Sequence, residues 1–205
     1  MNVRERSLYK HSAVAAMMGA LLLLSGCVVT AVPDRVPMQK AGLQKDLTGV
    51  SLVVLSGSGD ASPYPILTEA GVDVGFVGDR QKWSKKLTEA LAGDMARKGA
   101  VLRSTAPLKL SVAVTEVTLV QTGEINRFKV KVSASTSRGW AKDYEASSEA
   151  QTGVFETVDS MTRRLAGQSL AEVNKVMLND RDLLVQLGAR ATRSGKSVAI
   201  NSIKR

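Results

Sequence analysis

The fold is decided by the stretch LKLSVAVTEVTLVQTGEINRFKVKVSAS, residues 108–135, in which apolar and polar residues alternate on both sides of a polar interruption. Alternation with a period of two is typical of β-strands that bury one face and expose the other. The apolar positions shift by one residue near Thr115 and Glu116, which predicts a β-bulge there. Residues 121–126, with Gly123, form the predicted turn. The stretch therefore predicts an antiparallel hairpin with one face in a core.

Two further strands are predicted outside this hairpin. Residues 50–55 form a short valine-rich run, which is typical of a buried strand. Residues 140–151 hold a weaker alternation that predicts a third strand after the hairpin. The segment 56–78 is predicted as a long loop, in which the alternation of apolar residues at 72–76 favours a short extra strand.

Two long helices and one short helix are predicted from apolar residues that recur every three or four positions. The first begins at the capping residue Asp79 and ends before Gly99. The second spans about residues 155–179, and the short third helix follows at 180–187. The residues expected to face the core are Trp83, Leu87, Leu91 and Met95 in the first helix, and Val158, Met161, Leu165, Val173, Val176 and Met177 in the second.

This order of elements predicts an α+β fold, a two-layer β-α-β-β-β-α domain at residues 47–188. Its sheet carries two helices packed on one face, and its other face is open to solvent. Lys109, Lys129 and Lys131 alternate with the apolar residues of the hairpin, so they are expected on the open face. We expect these three lysines to contact a protein partner or an anionic surface.

The amino terminus has the organisation of an export signal. Arg4, Arg6 and Lys10 precede an uncharged apolar run at residues 13–24, which is too short to span a bilayer as a helix. The run ends in a tetrapeptide that resembles the bacterial lipobox, in which an apolar residue and two small residues precede a cysteine. A plain signal peptide with a chance cysteine, or an uncleaved anchor, is the alternative. The tetrapeptide consists of Leu24, Ser25, Gly26 and Cys27.

The resemblance to a lipobox implies cleavage before Cys27 and attachment of lipid to its thiol, so residues 1–26 are expected to be a signal peptide. Residues 27–46 hold two prolines and scattered polar residues, and they are expected to form a flexible tether that reaches roughly 25 Å. Val28 stands where lipoproteins similar to enterobacterial ones carry an aspartate if they stay in the inner membrane. The expected location is therefore the cell outer membrane, where the lipid-anchored protein faces the periplasm.

The mature chain lacks the side chains of the common catalytic and metal sites. The only histidine, His11, lies in the signal peptide, and the lipid consumes the only cysteine, Cys27. Their loss excludes Ser-His-Asp and Cys-His catalysis and zinc sites of the Cys/His kind. Asp143, Glu145 and Glu149 lie close together in sequence and are expected on the solvent face of a strand. We therefore expect a protein that is not an enzyme and that holds no cofactor or metal.

Charge and export together narrow the class of partner. The formal net charge is +9, and segment 189–205 is expected to be a basic, disordered tail. Arg190, Arg193 and Lys196 are its candidate contacts. An exported basic protein meets anionic lipid, lipopolysaccharide or peptidoglycan rather than nucleic acid. The expected partners are the membrane, reached through the lipid anchor, and either an envelope protein complex or an anionic surface.

These features resemble those of YajG-type lipoproteins and of the auxiliary lipoproteins of ABC-type envelope transporters. The resemblance implies a non-enzymatic accessory role in envelope transport or assembly. The alternative is a structural lipoprotein that bridges the outer membrane and peptidoglycan, or one that binds lipopolysaccharide. The segments that carry the resemblance are the lipobox, VSLVVL at 50–55, WSKKLTEAL at 83–91 with its KG stop at 98–99, and NDRDLL at 179–184.

Overall fold

The computed structural model confirms the α+β class, with helices packed on one face of a mixed sheet. It describes residues 29–33, 35–37, 45–57, 64–67, 73–122, 125–151 and 157–191. Within these ranges the helices are α1 (Arg80–Arg97), α2 (Val158–Asn179) and α3 (Arg181–Gln186). The strands are β1 (Val29–Ala31), β2 (Lys45–Asp46), β3 (Ser51–Ser56), β4 (Tyr64–Leu67), β5 (Asp73–Gly78), β6 (Val101–Leu102), β7 (Leu108–Thr122), β8 (Ile125–Thr136), β9 (Ala141–Gln151) and β10 (Arg190–Ala191).

The alternating hairpin forms the two longest strands, β7 and β8, which pair antiparallel. β7 ends at Thr122 and β8 begins at Ile125, so only residues 123 and 124 connect the two strands. The connection is therefore shorter than the turn at 121–126 that the sequence predicts. The predicted bulge is confirmed by a register shift between Val114 and Glu116. At this bulge the N–H of Val114 donates to the hydroxyl of Ser84 at 2.8 Å, so a side chain of α1 satisfies it.

The sheet is mixed because the strands on the other side of β7 run parallel to it. β3 pairs with the first half of β7, where Leu52 lies opposite Leu108, and β4 pairs with the second half. β5 then pairs antiparallel with β4, and β1 pairs parallel with β5. β4 and β5 lie in the segment predicted as a long loop. The alternation at 72–76 correctly predicts β5, whereas Pro65, which lacks a backbone N–H, argues against β4 in the sequence.

Both long helices pack on the same face of the sheet, as predicted. Asp79 caps α1 by accepting a hydrogen bond from the N–H of Lys82 at 2.9 Å, and Gly99 ends it with a φ of +90°. Trp83 of α1 stacks on Phe128 of β8 with ring centroids 5.5 Å apart. Burial of apolar area at roughly 25 cal/mol per Å² makes this pair and the aliphatic residues around it the main driving force for packing.

The ends of α2 and α3 follow the sequence prediction, with one correction. α2 ends at Asn179, α3 follows directly, and Gly188 stops it with a φ of +83°. Val176 is predicted on the core face, but it is 44% exposed. Val173 and Met177 fill the core positions of this turn, and Val176 lies about 100° from Met177 around the helix axis. Its side chain therefore points away from the core.

The directions of β8 and β9 give the domain two ends. The Ile125 end contains the connection from β7 to β8, the last residue of β9, which is Gln151, and the first turn of α2. The Trp140 end contains the turn between β8 and β9 and the end of α3. There Arg138 donates to the carbonyl oxygen of Gln186 at 2.8 Å. At about 3.3 Å per residue, β8 separates the two ends by roughly 35 Å.

An N-terminal strap, formed by the described residues of 29–37, lies across the domain in the segment predicted as a flexible tether. Its strand β1 pairs with β5, and both Pro33 and Val36 are buried. The strap crosses α2 where Gly167 leaves room for it, because a Cβ on this residue would collide with the carbonyl oxygen of Arg35. This part of the chain is therefore packed on the domain.

Candidate functional site

Most residues predicted to carry function lie outside the described part of the chain. These are Leu24, Ser25, Gly26 and Cys27 of the lipobox and Arg193 and Lys196 of the tail. Arg190 belongs to β10, whose backbone pairs with β2 at Asp46. Lipidation and the tail contacts therefore stay predictions.

The three lysines of the hairpin lie on the open face of the sheet, where the alternation places them. The ammonium of Lys131 is 2.7 Å from the carboxylate of Glu116, and that of Lys129 is 3.7 Å from the carboxylate of Glu145. The hydrogen bond between Lys131 and Glu116 lowers the pKa of the glutamate and raises the pKa of the lysine. The third lysine, Lys109, is exposed near the start of β7.

The hairpin lysines do not by themselves make a basic surface. A face of balanced charge has little long-range attraction for a polyanion. Opposite charges on neighbouring strands instead stabilise the sheet through cross-strand pairs, such as Arg127 with Glu149 at 2.5 Å. On the open face of β7, β8 and β9 the described cations are Lys109, Arg127, Lys129 and Lys131, and the described carboxylates are Glu116, Asp143, Glu145 and Glu149.

A groove of about 650 Å³ opens beside β9, next to the ends of α2 and α3. Its shape follows from the break between these two helices. Asp180 ends α2 because it adopts an extended conformation, with a φ of −71° and a ψ of 115°, and it is also the N-cap of α3. The side chains that matter most in the groove are Lys142, Tyr144, Lys175, Val176, Asp180 and Arg181.

Asp180 joins three parts of the groove. Its carboxylate accepts hydrogen bonds from the N–H of Asp182 at 2.8 Å and from the hydroxyl of Tyr144 at 2.7 Å. The ammonium of Lys142 lies 2.8 Å from the same carboxylate and 5.7 Å from the centroid of the Tyr144 ring. Since the Asp180 side chain is 8% exposed, these charge-assisted bonds replace the water that it loses on folding.

The same contacts fix the protonation states in the groove. Burial, with the carboxylate of Asp180 beside it, raises the pKa of Tyr144. Burial by itself would raise the pKa of Asp180, but hydrogen bonds from Lys142, Tyr144 and the N–H of Asp182 outweigh it and lower that pKa. The hydrogen bond to Asp180 raises the pKa of Lys142. None of these groups is therefore poised to exchange a proton near neutral pH.

The groove is lined by residues of both charge signs and by an exposed apolar residue. The exposed side chain of Val176 and the exposed cations Lys175 and Arg181 line the groove, and Asp143 and Glu145 of β9 line it as well. A polypeptide can present both charges and an apolar side chain to such a surface. The groove is therefore suited to recognition of a protein segment.

β9 is an edge strand in the part of the chain that the structure describes, because it pairs only with β8. The N–H of Thr136 donates to the carbonyl oxygen of Trp140 at 2.8 Å, so these two residues form a hydrogen-bonded pair. In an antiparallel ladder hydrogen-bonded and non-hydrogen-bonded pairs alternate, so Val132 and Tyr144, four residues further along each strand, are also a hydrogen-bonded pair. The residues in between direct their backbone groups outwards. These residues, called the β9 edge from here on, are Asp143, Glu145, Ser147 and Glu149.

No functional role for Tyr144 or Asp180 is predicted from the sequence, although each residue stands out in its local pattern. Tyr144 is the one aromatic side chain on β9, and Asp180 follows a helix end as an N-cap would. The two residues are 36 positions apart. No local pattern shows that they meet, because their contact depends on how α2 packs on the sheet.

A second polar cluster lies between α1 and α2, and its Asp94 and Asn174 are buried. Asp94, which is 1% exposed, contacts Arg97 and accepts a hydrogen bond from the amide of Asn174 at 2.6 Å. This cluster joins the helices. Among the residues described, no three or more His, Cys, Asp or Glu side chains are grouped to hold a metal ion. In the described part of the chain, no helix is both long enough and apolar enough to cross a bilayer.

Comparison with known proteins finds similar folds. No family model matches the chain, and no curated protein matches its sequence. The protein XCC0632 from Xanthomonas campestris, of the family DUF330, is 15% identical over 77% of this chain and 95% of its own, with a TM-score of 0.49. A Caulobacter crescentus protein named as a lipoprotein is 15% identical over 72% and 96%, with a TM-score of 0.43. A minor lipoprotein from Acinetobacter baumannii is 11% identical over 68% and 92%, with a TM-score of 0.40. At sequence identities and TM-scores this low, the similarity carries no argument about the function of this chain.

Proposed function

We propose that the chain is a lipid-anchored outer-membrane lipoprotein that faces the periplasm and works without catalysis, as an accessory or binding component of an envelope transport or assembly complex. The observation that carries the binding role is the mixed-charge groove beside β9. The lipobox at residues 24–27 supports the anchor. The finer relationship, to YajG-type and ABC-transport-auxiliary lipoproteins, rests on the segments of sequence that carry the resemblance, among them 179–184.

The charges of the described surface favour a protein partner over a polyanion. The open face of β7, β8 and β9 has equal numbers of described cations and carboxylates. The groove is also lined by residues of both signs of charge and by the exposed Val176. Lipopolysaccharide and peptidoglycan would be held best by an unopposed cluster of cations. The groove supports docking of another envelope protein more directly.

The chemistry of the groove supports a role without catalysis. Tyr144 keeps its proton near neutral pH because burial and the neighbouring carboxylate of Asp180 raise its pKa. Asp180 stays ionised because hydrogen bonds from Lys142, Tyr144 and the N–H of Asp182 outweigh its burial and lower its pKa. A general acid or base needs a pKa near the working pH. The pair instead fixes the wall against which a bound segment would lie.

Lipidation is tested separately from binding. Cells that express the full chain are labelled with an alkyne fatty acid, and the membranes are fractionated. We expect label on the wild type in the outer-membrane fraction and none on Cys27→Ala. Mass spectrometry of the amino-terminal peptide checks cleavage before Cys27. An unlabelled wild-type protein would remove the anchor from the proposal.

The binding role is tested by crosslinking in living cells and capture through a carboxyl-terminal tag. Val176→Asp places a charge on the exposed apolar residue that lines the groove. Val185→Asp is the matched control, because Val185 is also an exposed valine on a helix, at 57%, but lies outside the groove. We expect the wild type and Val185→Asp to retain an envelope protein that Val176→Asp loses. Equal capture by all three would contradict a role of the groove.

One observation favours the alternative, a structural lipoprotein that bridges the outer membrane and peptidoglycan. The tail follows β10, which pairs with β2 at the Trp140 end. Residues 192–205 include four cations and no carboxylate, and a fully extended chain of this length reaches up to roughly 50 Å. If the alternative holds, the wild-type protein cosediments with purified peptidoglycan, and deletion of residues 192–205 abolishes this. Absence of cosedimentation would exclude it.

A further inference from the structure

Charges on the open face of the sheet are arranged in columns that follow the strands. β8 presents Arg127, Lys129 and Lys131, whereas β9 beside it presents the carboxylates of the β9 edge. Glu145 and Glu149 are 49% and 46% exposed even though each contacts a cation of β8. The outermost column of the described sheet is therefore acidic. A strand added beside β9 would face this column directly.

The backbone of the β9 edge is arranged to accept such a strand. Its four residues point their N–H and carbonyl groups away from β8, because the alternate residues of β9 make the hydrogen bonds to β8. Extended peptides bind exposed sheet edges in this way, with main-chain hydrogen bonds for affinity and alternate side chains for specificity. In β9 the outward backbone and the acidic side chains belong to the same residues.

The charge of the edge decides between the possible occupants. A second copy that paired through its own β9 would bring two acidic columns together, and like charges directly opposite are destabilising. An anionic polymer meets the same repulsion. A segment with lysine or arginine at alternate positions would instead place its cations opposite Asp143, Glu145 and Glu149.

We infer that the β9 edge binds an extended, basic segment of a protein partner, which joins the sheet as a further strand. Asp143 and Glu145 belong both to this edge and to the lining of the groove, so one segment can contact both surfaces. The inference rests on the proposed binding role and adds the class of ligand. It also explains why an edge strand of eleven residues is rich in carboxylates.

The probe is a fluorescent synthetic peptide of about ten residues that alternates lysine and threonine, titrated with the full lipidated chain in detergent. Two control peptides separate charge from strand pairing. One replaces each lysine by glutamate. The other keeps the lysines but carries N-methyl groups on alternate backbone nitrogens, which blocks main-chain pairing. We expect the lysine peptide to bind at least about tenfold more tightly than either control.

Two variants test the same edge from the side of the protein. Ser147→Pro removes an N–H that points outwards and that β8 does not use, and a proline is tolerated on an edge strand in this position. Glu145→Lys reverses one charge of the column and leaves every backbone group in place. Each should weaken binding of the lysine peptide by about two- to fivefold. Glu89→Lys, on an exposed position of α1, is the matched control and should leave the affinity unchanged.

Three results would overturn the inference. Equal affinity for the N-methylated peptide would show attraction by charge alone. If both Ser147→Pro and Glu145→Lys bind the lysine peptide with the affinity of the wild type, the peptide binds at a site other than the β9 edge. Binding that appears only after deletion of residues 192–205 would make the tail of the chain the occupant of the edge. The binding role as such is judged by the capture experiment with Val176→Asp, so the two can fail separately.

Discussion

Asp180 shows how one residue can serve both the fold and the candidate site. Its extended backbone separates α2 from α3, its carboxylate caps α3, and the same carboxylate holds Tyr144 and Lys142 in the groove. The geometry of the groove is therefore coupled to the stability of the helix junction. Substitutions at this position can separate the two contributions.

Asp180→Ala should lower the free energy of unfolding by about 2–4 kcal/mol. Loss of a helix cap costs about 1 kcal/mol, and a buried hydroxyl left without an acceptor, here that of Tyr144, costs about 1–3 kcal/mol. Asp180→Asn should cost less, since its amide oxygen can still cap the helix and accept from Tyr144. Urea denaturation of both variants measures the difference. Equal losses would contradict this division of roles.

The pKa of Asp180 predicts a specific dependence of stability on pH. Contacts in the folded protein lower this pKa from its ordinary value of 3.8, so the unfolded chain takes up the proton first as the pH falls. The contribution of Asp180 is therefore complete above about pH 5 and is lost as the pH falls through the lowered pKa. Wild type should lose stability more steeply than Asp180→Asn between pH 5 and pH 2 by urea denaturation. Parallel profiles would refute this.

Ser84 is the second residue with a role that the sequence does not reveal. It is fully buried, donates to the carbonyl oxygen of Arg80 at 2.6 Å and accepts from the N–H of Val114 at the bulge. Ser84→Ala should cost about 1–3 kcal/mol because it leaves this buried N–H without a partner. Gln81→Ala, exposed on the same helix, is the control and should be nearly neutral in the same denaturation experiment. A neutral Ser84→Ala would contradict the assignment.

At the scale of elements, the sequence predicts what has a local period and misses what depends on distant contacts. The alternation of 108–135 predicts β7, β8 and their bulge, and the apolar stripe with its caps predicts α1. β4 is missed because Pro65 interrupts its pattern, and Val176 is misplaced because the stripe of α2 narrows at its end. The groove arises where three elements meet, so no single segment encodes it.

The N-terminal strap is the element that departs most from its expectation. Prolines and polar residues predict a flexible tether, yet β1 pairs in the sheet, and Pro33 and Val36 are buried. Prolines and scattered polar residues favour an extended backbone both in a flexible tether and in a segment packed on the domain. The packing against α2 at Gly167 is what fixes the strap.

Gly167→Ala should release the strap from α2. The added methyl group would collide with the carbonyl oxygen of Arg35, and overpacking of this kind costs about 1–3 kcal/mol. The higher helix propensity of alanine offsets about 1 kcal/mol of this loss. We expect faster cleavage by trypsin after Arg35, measured by mass spectrometry. Gln168→Ala, the exposed neighbour, is the control. An unchanged cleavage rate in Gly167→Ala would contradict the packing.

At the scale of the whole molecule, the strap limits how far the domain can move from a lipid on Cys27. β1 begins at Val29, two residues later, and two residues span at most about 7 Å. A flexible tether of 27–46 would reach roughly 25 Å. Lipidation at Cys27 would therefore hold the start of β1 close to the membrane surface. The groove lies towards the Trp140 end, where the tail also follows β10.

The central claim is that the groove docks another envelope protein, and site-specific photocrosslinking tests it most directly. A photoreactive amino acid is placed at Val176 in the groove or at Val185 outside it, in the full chain in living cells. The account predicts a discrete crosslinked product from Val176 that Val185 does not give and that disappears in the Cys27→Ala background. The same products from both positions, or none from Val176, would contradict it.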